Sequence, residues 1–361
     1  MTTVTPGAPL PLDTAGSTLP PVANAPAWRI VLGGFLMGLA NLVPGISGGT
    51  MILALGLYDR FIGSIADLSR LRLKAPALFF AFLLAVGVGC AFLFASKGVV
   101  HLVTHYRWAM YSLFIGLTLG GAPELWRLAG RARLCVLLSV VVGVAGMWLF
   151  SRSGQSSIQE TPLTLGLIGV AAAASMILPG ISGAYVLLIF GVYETVVGSL
   201  SATSLRADTA AALGVLIPVG IGAVIGIGLL SNALKWLLRV VSGPTHGVLL
   251  GLLLGSVLGL WPFQRPVNPD LAHPAQRKAI EAVVLDGEGY DAARERTGVA
   301  WDDAEFAAHV APYQGRTKGE IKRLSGQLER VPVEPRKGAI ALGLVVLGFA
   351  ATAGLARSGR R

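Results

Sequence analysis

Charged residues are scarce in this sequence, and cysteine is nearly absent. Of the 361 residues only 13% are charged, whereas 53% are hydrophobic and the mean hydropathy is +0.68. Soluble globular chains carry about 25% charged residues, so the composition excludes an ordinary water-soluble protein. The two cysteines, Cys90 and Cys135, both lie in apolar runs. Two cysteines in such runs are too few to form a disulfide framework or a zinc site with four ligands.

Long apolar runs point to a membrane. Ala75 to Ala95 and Ala210 to Leu230 approach the length of about 20 residues that a helix needs to cross a bilayer. The net charge of +10 would suggest nucleic acid in a soluble protein, but in a membrane protein basic residues report orientation. We therefore predict a polytopic helical membrane protein without a nucleic-acid partner. Met1 to Ala27 has no Lys or Arg and is predicted to be a disordered cytoplasmic tail.

One segment of the sequence occurs twice. Pro44 to Ser64 (PGISGGTMILALGLYDRFIGS) aligns without gaps on Pro179 to Ser199 (PGISGAYVLLIFGVYETVVGS), an offset of 179 − 44 = 135. Ten of the 21 positions are identical, where composition alone would give about two. The chain therefore contains an internal repeat.

A second repeat of small residues follows at an offset of 139. Ser112, Gly116 and Gly120 correspond to Gly251, Gly255 and Gly259, and each set is spaced by four residues. Small residues with this spacing lie on one helix face and let helix backbones pack closely in lipid. We interpret the stripe as a packing surface.

The first motif interrupts an apolar run of unusual length. About 30 residues separate Trp28 from Tyr58 (58 − 28 = 30), whereas one crossing needs about 20 and two need about 40. Pro44 and the glycines beside it break the run midway, where a continuous helix would be costly. The pattern predicts a re-entrant helical hairpin, which the second copy repeats from Pro162 to Glu194.

Three crossings follow each hairpin, and this odd number places the second hairpin on the opposite membrane face. The predicted fold is an all-α polytopic membrane protein of two inverted repeats, each a re-entrant helical hairpin followed by three transmembrane helices. The crossings are Ala75 to Ala95, Trp108 to Gly121, Leu134 to Phe150, Ala210 to Leu230, Gly247 to Trp261 and Ala339 to Ala356. The domains are the tail 1–27, repeat 1 (28–150), the first part of repeat 2 (151–261), an insertion (262–337), and the last helix with a basic tail (338–361).

Basic residues support this topology, because short cytoplasmic loops collect Lys and Arg. The split outside the insertion is 13 to 4. The larger set is Arg29, Arg60, Arg70, Arg72, Lys74, Arg127, Arg131, Arg133, Lys235, Arg239, Arg357, Arg360 and Arg361, and the smaller is Lys97, Arg107, Arg152 and Arg206. We predict a multi-pass protein of the bacterial inner membrane with both termini in the cytoplasm.

The insertion Pro262 to Lys337 is polar and holds the remaining 29 − 17 = 12 basic residues. The topology places it outside, whereas its basic residues would also suit the cytoplasm. Helices are predicted at Pro274 to Leu285 and Lys318 to Arg330. A solvated basic face explains its charges better than nucleic-acid binding does.

The two Gly-rich turns are the candidate substrate site. A helix that begins at a turn deep in the membrane offers unpaired N–H groups and partial positive charge to an anion. Glycines leave bare backbone for its approach, and Ser47 and Ser182 can cap the new helices or donate to a phosphate. The alternative is that the turns only kink packed helices. The candidate residues are Pro44, Gly45, Ser47, Gly48, Gly49, Pro179, Gly180, Ser182 and Gly183.

These motifs resemble a known family. NLVPGISGGTMILALGLYDRFI and MILPGISGAYVLLIFGVYETVVGSL look like the signature repeats of the bacterial polyprenyl-phosphate (undecaprenyl-phosphate) transporters, formerly a family of unknown function. The similarity covers Trp28 to Trp261 and the last span. It implies a flippase that returns undecaprenyl phosphate, the carrier lipid of cell-wall synthesis, from the outer to the inner leaflet without a cofactor. The long tail and the insertion depart from the family's compact pattern.

Charged residues near the motifs allow two interpretations each. Asp59 and Glu194 are equivalent positions of the repeat, and each follows a tyrosine. They either couple protons to transport or lie at the membrane interface, where a carboxylate costs little free energy. Arg60, Arg107 and Arg206 either attract the phosphate or anchor the interface. No metal site is predicted, because His101 and His105 have no acidic third ligand nearby.

Two other functions compete with lipid transport. Membrane pyrophosphatases that act on the same lipid use a Pro-Gly-x-Ser turn followed by an arginine, but Gly48 and Gly183 follow the serines here. The cation that would stabilise phosphoryl transfer is therefore missing from the motif, and we predict that the chain is not an enzyme. A carrier of a small soluble anion remains the other alternative.

Overall fold

The computed structural model describes residues 25–42, 46–130, 134–151, 158–199 and 208–358, and most of them are helical. Pro44, Gly45 and Arg206 of the predicted site, and nearly all of the predicted disordered tail, lie outside the described residues. The helices of the first half are α1 (Ala27–Asn41), α2 (Gly48–Ala54), α3 (Tyr58–Ser69), α4 (Ala75–Cys90), a π-helical turn (Ala91–Ala95), α5 (Ser96–His105), α6 (Arg107–Leu119), α7 (Ala122–Ala129) and α8 (Leu134–Ser151).

The second half repeats this order, with an insertion before its last helix. Its membrane helices are α9 (Pro162–Ile177), α10 (Gly183–Ile189), α11 (Tyr193–Ser199), α12 (Thr209–Val240) and α13 (Ser242–Gly259). The insertion contains β1 (Gln264–Pro266), α14 (Pro269–Ala272), α15 (Pro274–Val284), α16 (Tyr290–Thr297), α17 (Asp303–Val310), a 3-10 turn (Ala311–Tyr313), α18 (Lys318–Ser325) and β2 (Leu328–Arg330), and α19 (Pro335–Ser358) follows it.

Several helices have the length and composition of membrane spans. Within the described residues, four are long and apolar enough to cross a bilayer: Ala75–Ala95, Thr209–Val240, Ser242–Gly259 and Pro335–Leu355. Helices α1, α8 and α9 are shorter but also apolar. All six predicted crossings are helical, although α6 has only 13 residues, fewer than the roughly 20 of a full crossing. The chain is thus a helical membrane protein.

Both motif copies turn the chain back toward its starting point. In the first copy, Arg29 at the start of α1 donates from Nη2 to the carbonyl of Leu55 after α2, at 2.6 Å. In the second, the Thr195 hydroxyl on α11 donates to Glu160, just before α9, at 2.7 Å. In each copy, a residue near the start of the first helix therefore contacts a residue beyond the break.

Side chains also identify two ends of the helical bundle. Arg29 reaches the Leu355 carbonyl (2.9 Å), so α19 ends where α1 begins, and we call this the Arg29 end. Helix α6 runs parallel to α19, because Gly116 lies against Val345 and Gly120 against Thr352. Helix α6 therefore begins at the opposite end, which we call the Arg107 end.

The helix pairs of the two halves correspond. Helix α1 packs along α4, and its repeat counterpart α9 packs along α12. Helix α6 packs along α19, and its counterpart α13 packs along α8. Since α6 and α8 of the first half both pair with helices of the second, the two halves interleave and neither forms a complete body without the other.

The stripe of small residues is confirmed as a packing surface. A Cβ added at Gly251 would lie 2.2 Å from the Val140 carbonyl oxygen of α8, and one at Gly116 would lie 2.1 Å from that of Val345 on α19. The stripe ends before Gly259, where an added Cβ would meet nothing within 4 Å. Close backbone contact supplies the van der Waals attraction that holds helices together where no hydrophobic effect acts between them.

The insertion has a hydrophobic core of its own, which includes Ile280, Phe306 and Ile321. The predicted helix at Pro274 to Leu285 is confirmed as α15. The predicted helix at Lys318 to Arg330 is partly wrong, because it ends at Ser325 and Leu328–Arg330 forms β2. Strand β2 pairs antiparallel with β1, which brings Leu328 opposite Pro266 and closes the insertion at its base.

Charges in the insertion are balanced rather than basic. It holds 12 of the 19 acidic residues, because only seven lie elsewhere (Asp13, Asp59, Asp67, Glu124, Glu160, Glu194 and Asp208). One of these acidic residues, Glu320, stabilises the start of a helix. The Thr317 backbone N–H donates to its carboxylate at 2.8 Å, completing a capping box at the start of α18. This bond, with the one from the Thr317 hydroxyl, holds the pKa of Glu320 below its ordinary value.

The packing surface predicts a difference between two valine substitutions on α13. Gly251→Val should lower the free energy of unfolding by about 3 kcal/mol, because its β-branched side chain overlaps the α8 backbone. Gly259→Val is the matched control and should leave stability unchanged, since its position is open. Thermal unfolding of both variants in detergent checks this, and equal losses would show that the stripe is not a packing surface.

Candidate functional site

The two motif turns lie against each other inside the bundle. The Ser47 hydroxyl, just before α2, donates to the carbonyl of Leu178 in the second motif at 3.0 Å. Gly49 packs so closely there that an added Cβ would lie 3.0 Å from the Met176 carbonyl oxygen. The structure therefore brings together the two motifs that the sequence separates by 135 residues.

Two further hydrogen bonds join the turns. The Tyr58 hydroxyl donates to the Ile177 carbonyl at 3.0 Å, and the Gly180 N–H donates to the Thr50 hydroxyl at 3.0 Å. The last carbonyls of a helix have no partner within the helix, so the end of α9 depends on Tyr58 and Ser47 as donors. Sequence reasoning missed these roles of Tyr58 and Thr50. Neither residue's partner could be read from spacing.

The serines do not cap the helices that follow them. Ser47 and Ser182 both occupy N-cap positions with extended backbone, but neither side chain accepts a bond from its helix. The capping prediction is therefore wrong. The reason at Ser47 is that its hydroxyl is engaged with Leu178 across the junction of the turns.

The motif glycines are surrounded by protein atoms. A Cβ on Gly183 would lie 2.7 Å from the Ala172 carbonyl oxygen, and one on Gly48 would meet the side chains of Met37 (2.7 Å) and Asn41 (2.8 Å). Gly180 has φ +92°, which L side chains rarely adopt, and lies close to the Leu252 backbone. A side chain at Gly48 would meet flexible side chains, which can yield. A side chain at Gly183 would also meet backbone, which cannot yield in this way.

Arg29, one of the basic residues predicted on the cytoplasmic side, is a buried structural residue. Only 7% of its surface is exposed. Its Nη2 donates to the carbonyl oxygens of Leu55, directly after α2, and of Leu355, near the end of α19. One guanidinium thus ties together segments 326 residues apart. Nothing in the sequence distinguishes Arg29 from the other basic residues that we predicted on the cytoplasmic side.

Asp59 and Arg60 lie on the first turn of α3. The Arg60 guanidinium lies over the Phe80 ring, 5.1 Å from its centroid, and its Nη1 is buried without a hydrogen-bond partner in the described part of the chain. Asp59 interacts electrostatically with His246 on the first turn of α13. His246 was missed in the sequence, although the offset of 139 could have drawn attention to it.

The remaining predicted residues lie on other helices. Arg107 begins α6, where its guanidinium lies over the Tyr111 ring at 4.8 Å and its Nε is buried without a partner among the described residues. Glu194 lies on α11. His101 and His105 stack with ring centroids 4.2 Å apart on an exposed surface. No group of three or more potential metal ligands occurs among the described residues.

Comparisons with known proteins agree on one family. Residues 37–273 match the model of the VCA0040-like family, described as undecaprenyl phosphate translocase-like. A polyprenyl-phosphate transporter of Vibrio cholerae serotype O1 is 29% identical over 249 residues, which cover 66% of this chain and 78% of the relative. One of Staphylococcus aureus is 29% identical over 247 residues, 65% of this chain and 86% of the relative. No solved structure matches the chain.

The buried arginine generates a prediction about stability. Arg29→Leu should lower the free energy of unfolding by about 3 kcal/mol, because it leaves two carbonyls without their donor. Arg29→Lys, which keeps the charge and three donors, should lose about 1 kcal/mol. Thermal unfolding in detergent measures both. A leucine variant as stable as the parent would show that the two hydrogen bonds of Arg29 do not stabilise the protein.

Proposed function

Because the chain belongs to the VCA0040-like, undecaprenyl phosphate translocase-like family, we propose that it transports undecaprenyl phosphate or a related polyprenyl phosphate from the outer to the inner leaflet. The curated relatives named as polyprenyl-phosphate transporters support this substrate class. Such a flippase would return the carrier lipid to the cytoplasmic face for another round of cell-envelope synthesis. The lipid and the bilayer would be its partners, and the transport step would need no cofactor.

The junction of the two motif turns is the observation that carries the proposal. Its bonds use the donors Ser47 O–H, Tyr58 O–H and Gly180 N–H. A phosphate presents several acceptor oxygens, so it can replace the Leu178 and Ile177 carbonyls as the acceptor for the two hydroxyls. In this proposal the bonded turns are the closed barrier, and the head group crosses as the donors exchange one acceptor for another.

Opposite orientations of the two repeats would give this path its two entrances. A site at the meeting point of inverted repeats is common among transporters with broken helices. Pro44, Gly45, Gly48 and Gly49 would shape one turn, and the second copy would shape the other with Pro179, Gly180, Ser182 and Gly183. Rocking one hairpin unit against the other would open the site alternately to each leaflet.

Charged residues would act at the entrances. Arg60 at the Arg29 end and Arg107 at the other would attract the phosphate, and so would Arg206, which the predicted topology assigns to the same side as Arg107. Asp59 and Glu194, in matching repeat positions, would couple protons to its movement. Carboxylates inside membrane proteins commonly serve such relays.

Transport without hydrolysis is favoured over an enzymatic role. Ser47 and Ser182 are followed by glycine rather than by arginine, so the motif lacks the cation that would stabilise a transferring phosphoryl group. The second alternative is a carrier for a small soluble anion, which would bind its substrate through the same contacts as a phosphate head group. Only an experiment with a lipid-free substrate can distinguish this carrier from a lipid transporter.

Reconstituted protein should move labelled polyprenyl phosphate between the leaflets of liposomes and release no inorganic phosphate. The measurement scores leaflet exchange and phosphate release separately, with protein-free liposomes and a water-soluble phosphate as controls. Phosphate release from the corresponding pyrophosphate lipid would make the enzyme interpretation correct. Exchange of the soluble anion alone would favour the small-anion carrier.

The inverted topology predicts which surface positions a membrane-impermeant thiol reagent can reach. The background carries Cys90→Ala and Cys135→Ala, and the test positions are exposed in the structure: Arg72→Cys, Arg239→Cys, His105→Cys and Gln159→Cys. The first two should react only from the cytoplasmic side and the last two only from outside. Labelling of all four from one side would contradict the inverted repeat.

A further inference from the structure

His246 combines deep burial with an unsatisfied ring nitrogen. The side chain is 4% exposed and lies on the first turn of α13. Its Nδ1 is 2.8 Å from the Ser242 carbonyl oxygen. A carbonyl can only accept, so this geometry assigns the hydrogen to Nδ1 and leaves Nε2 as the lone-pair nitrogen of a neutral ring. Nε2 is buried and has no hydrogen-bond partner among the described residues.

The position of His246 places it at the Arg29 end of the bundle. Helix α13 starts directly after α12, whose Lys235 bonds to Asp67 at 2.7 Å, near the end of α3 and the start of α4. Helix α4 runs parallel to α1, because Gly34 lies against Gly87 and Gly38 against Ala91. The ring therefore lies at the end where both α1 and α4 begin.

Asp59 lies close enough to His246 for the charges of the two groups to interact. The neighbouring Arg60 also has a buried guanidinium nitrogen without a partner in the described part of the chain. A buried polar atom that stays unpartnered costs stability, and such groups are retained where a ligand or a proton completes them. The incomplete Nε2 of His246 and the carboxylate whose charge interacts with it therefore point to a binding position for an anion and a proton.

The repeat relates His246 to a different cation, Arg107, at the opposite end. The offset of 139 that relates the small residues of α6 and α13 also relates Arg107 to His246 (246 − 107 = 139). Arg107 likewise lies on the first turn of its helix and likewise has a buried nitrogen, Nε, without a described partner. The offset of 135 relates Asp59 to Glu194. The two offsets therefore relate Asp59 and His246 to Glu194 and Arg107 in the sequence.

We infer that His246 and Arg107 are repeat-related ligands for the phosphate head group at opposite ends of the path, and that His246 holds the phosphate only while Nε2 carries a proton. This inference rests on the proposed transport of a lipid phosphate. It assigns the head-group site at the Arg29 end to a residue outside both motifs.

The difference between the two cations would make the ends unequal. A guanidinium remains charged at every physiological pH, whereas an imidazole exchanges its proton near neutrality. The Arg107 end therefore holds the anion at any such pH. At the His246 end, the proton on Nε2 passes to the Asp59 carboxylate and from there to water. The neutral ring then turns a lone pair toward the phosphate, and the phosphate leaves.

Other ionisable groups on the helices that pack against α13 are mostly engaged elsewhere. Glu124 bonds to Arg127 on α7, and Lys235 on α12 bonds to Asp67. The full set on these helices and on α3, among the described residues, is Tyr58, Asp59, Arg60, Asp67, Arg107, Tyr111, Glu124, Arg127, Cys135, Lys235 and Arg239. Asp59 is thus the carboxylate whose charge interacts with that of His246.

The test compares His246→Gln, which cannot gain a proton, with His246→Arg, which is always charged. Binding of labelled polyprenyl phosphate to purified full-length protein and leaflet exchange in liposomes are both measured at about pH 5.5 and about pH 8.5, on either side of the histidine range. The phosphate itself titrates near pH 6 in every sample. Only the difference between variant and parent therefore reports the residue.

The parent should bind more tightly at the lower pH than the glutamine variant by about tenfold, and the two should converge at the higher pH. The arginine variant should keep its tight binding at the higher pH and exchange lipid more slowly, because release no longer follows deprotonation. Arg107→His should introduce a pH dependence that the parent lacks at that end. Melting temperatures identify any variant that fails to fold, and the remaining two then carry the test.

A parent that exchanges lipid while all three folded variants follow its pH profile would overturn this inference and leave transport intact. A parent that exchanges no lipid phosphate would instead contradict the proposed function. A glutamine variant that loses binding equally at both pH values would also overturn the inference, because its loss would be steric and not protonic.

Discussion

Every backbone polar group inside an apolar bundle needs a partner, and the two broken helices make this requirement acute. Each break frees carbonyl and N–H groups far from water, where an unsatisfied group costs several kcal/mol. The chain meets the requirement by placing the breaks together, so that Ser47, Thr50 and Tyr58 of one motif satisfy Leu178, Gly180 and Ile177 of the other. The two halves therefore depend on each other at their most polar point.

The rest of the bundle keeps that junction in place. Between helices in lipid there is little hydrophobic driving force, so close backbone approach at small residues must supply the attraction. Gly116 and Gly251 bring α6 onto α19 and α13 onto α8, and each pair joins one half to the other. Arg29 adds a polar tie at one end by bonding to two helix termini. Packing and hydrogen bonding thus constrain the same interleaved arrangement.

Sequence reasoning predicted the features that repetition and periodicity encode. The two breaks, the packing stripe and the apolar helices all follow from patterns within short segments. The partners of individual side chains do not. Arg29 meets a carbonyl 326 residues away, and the bond from Ser47 to Leu178 replaces the local cap that its position suggested. Such choices are decided by how helices pack, which no local spacing records.

The paired strands at the base of the insertion have a consequence for the history of the chain. Residues 267–327 form one excursion of the chain between Pro266 and Leu328, and these two residues are paired in the two-stranded sheet. A segment with adjacent ends, a core of its own and balanced charge can be gained or lost at a single locus without moving any membrane helix. The family match, which ends at residue 273, stops just inside this point of entry. We therefore interpret the insertion as a unit that could be gained or lost without rebuilding the membrane helices.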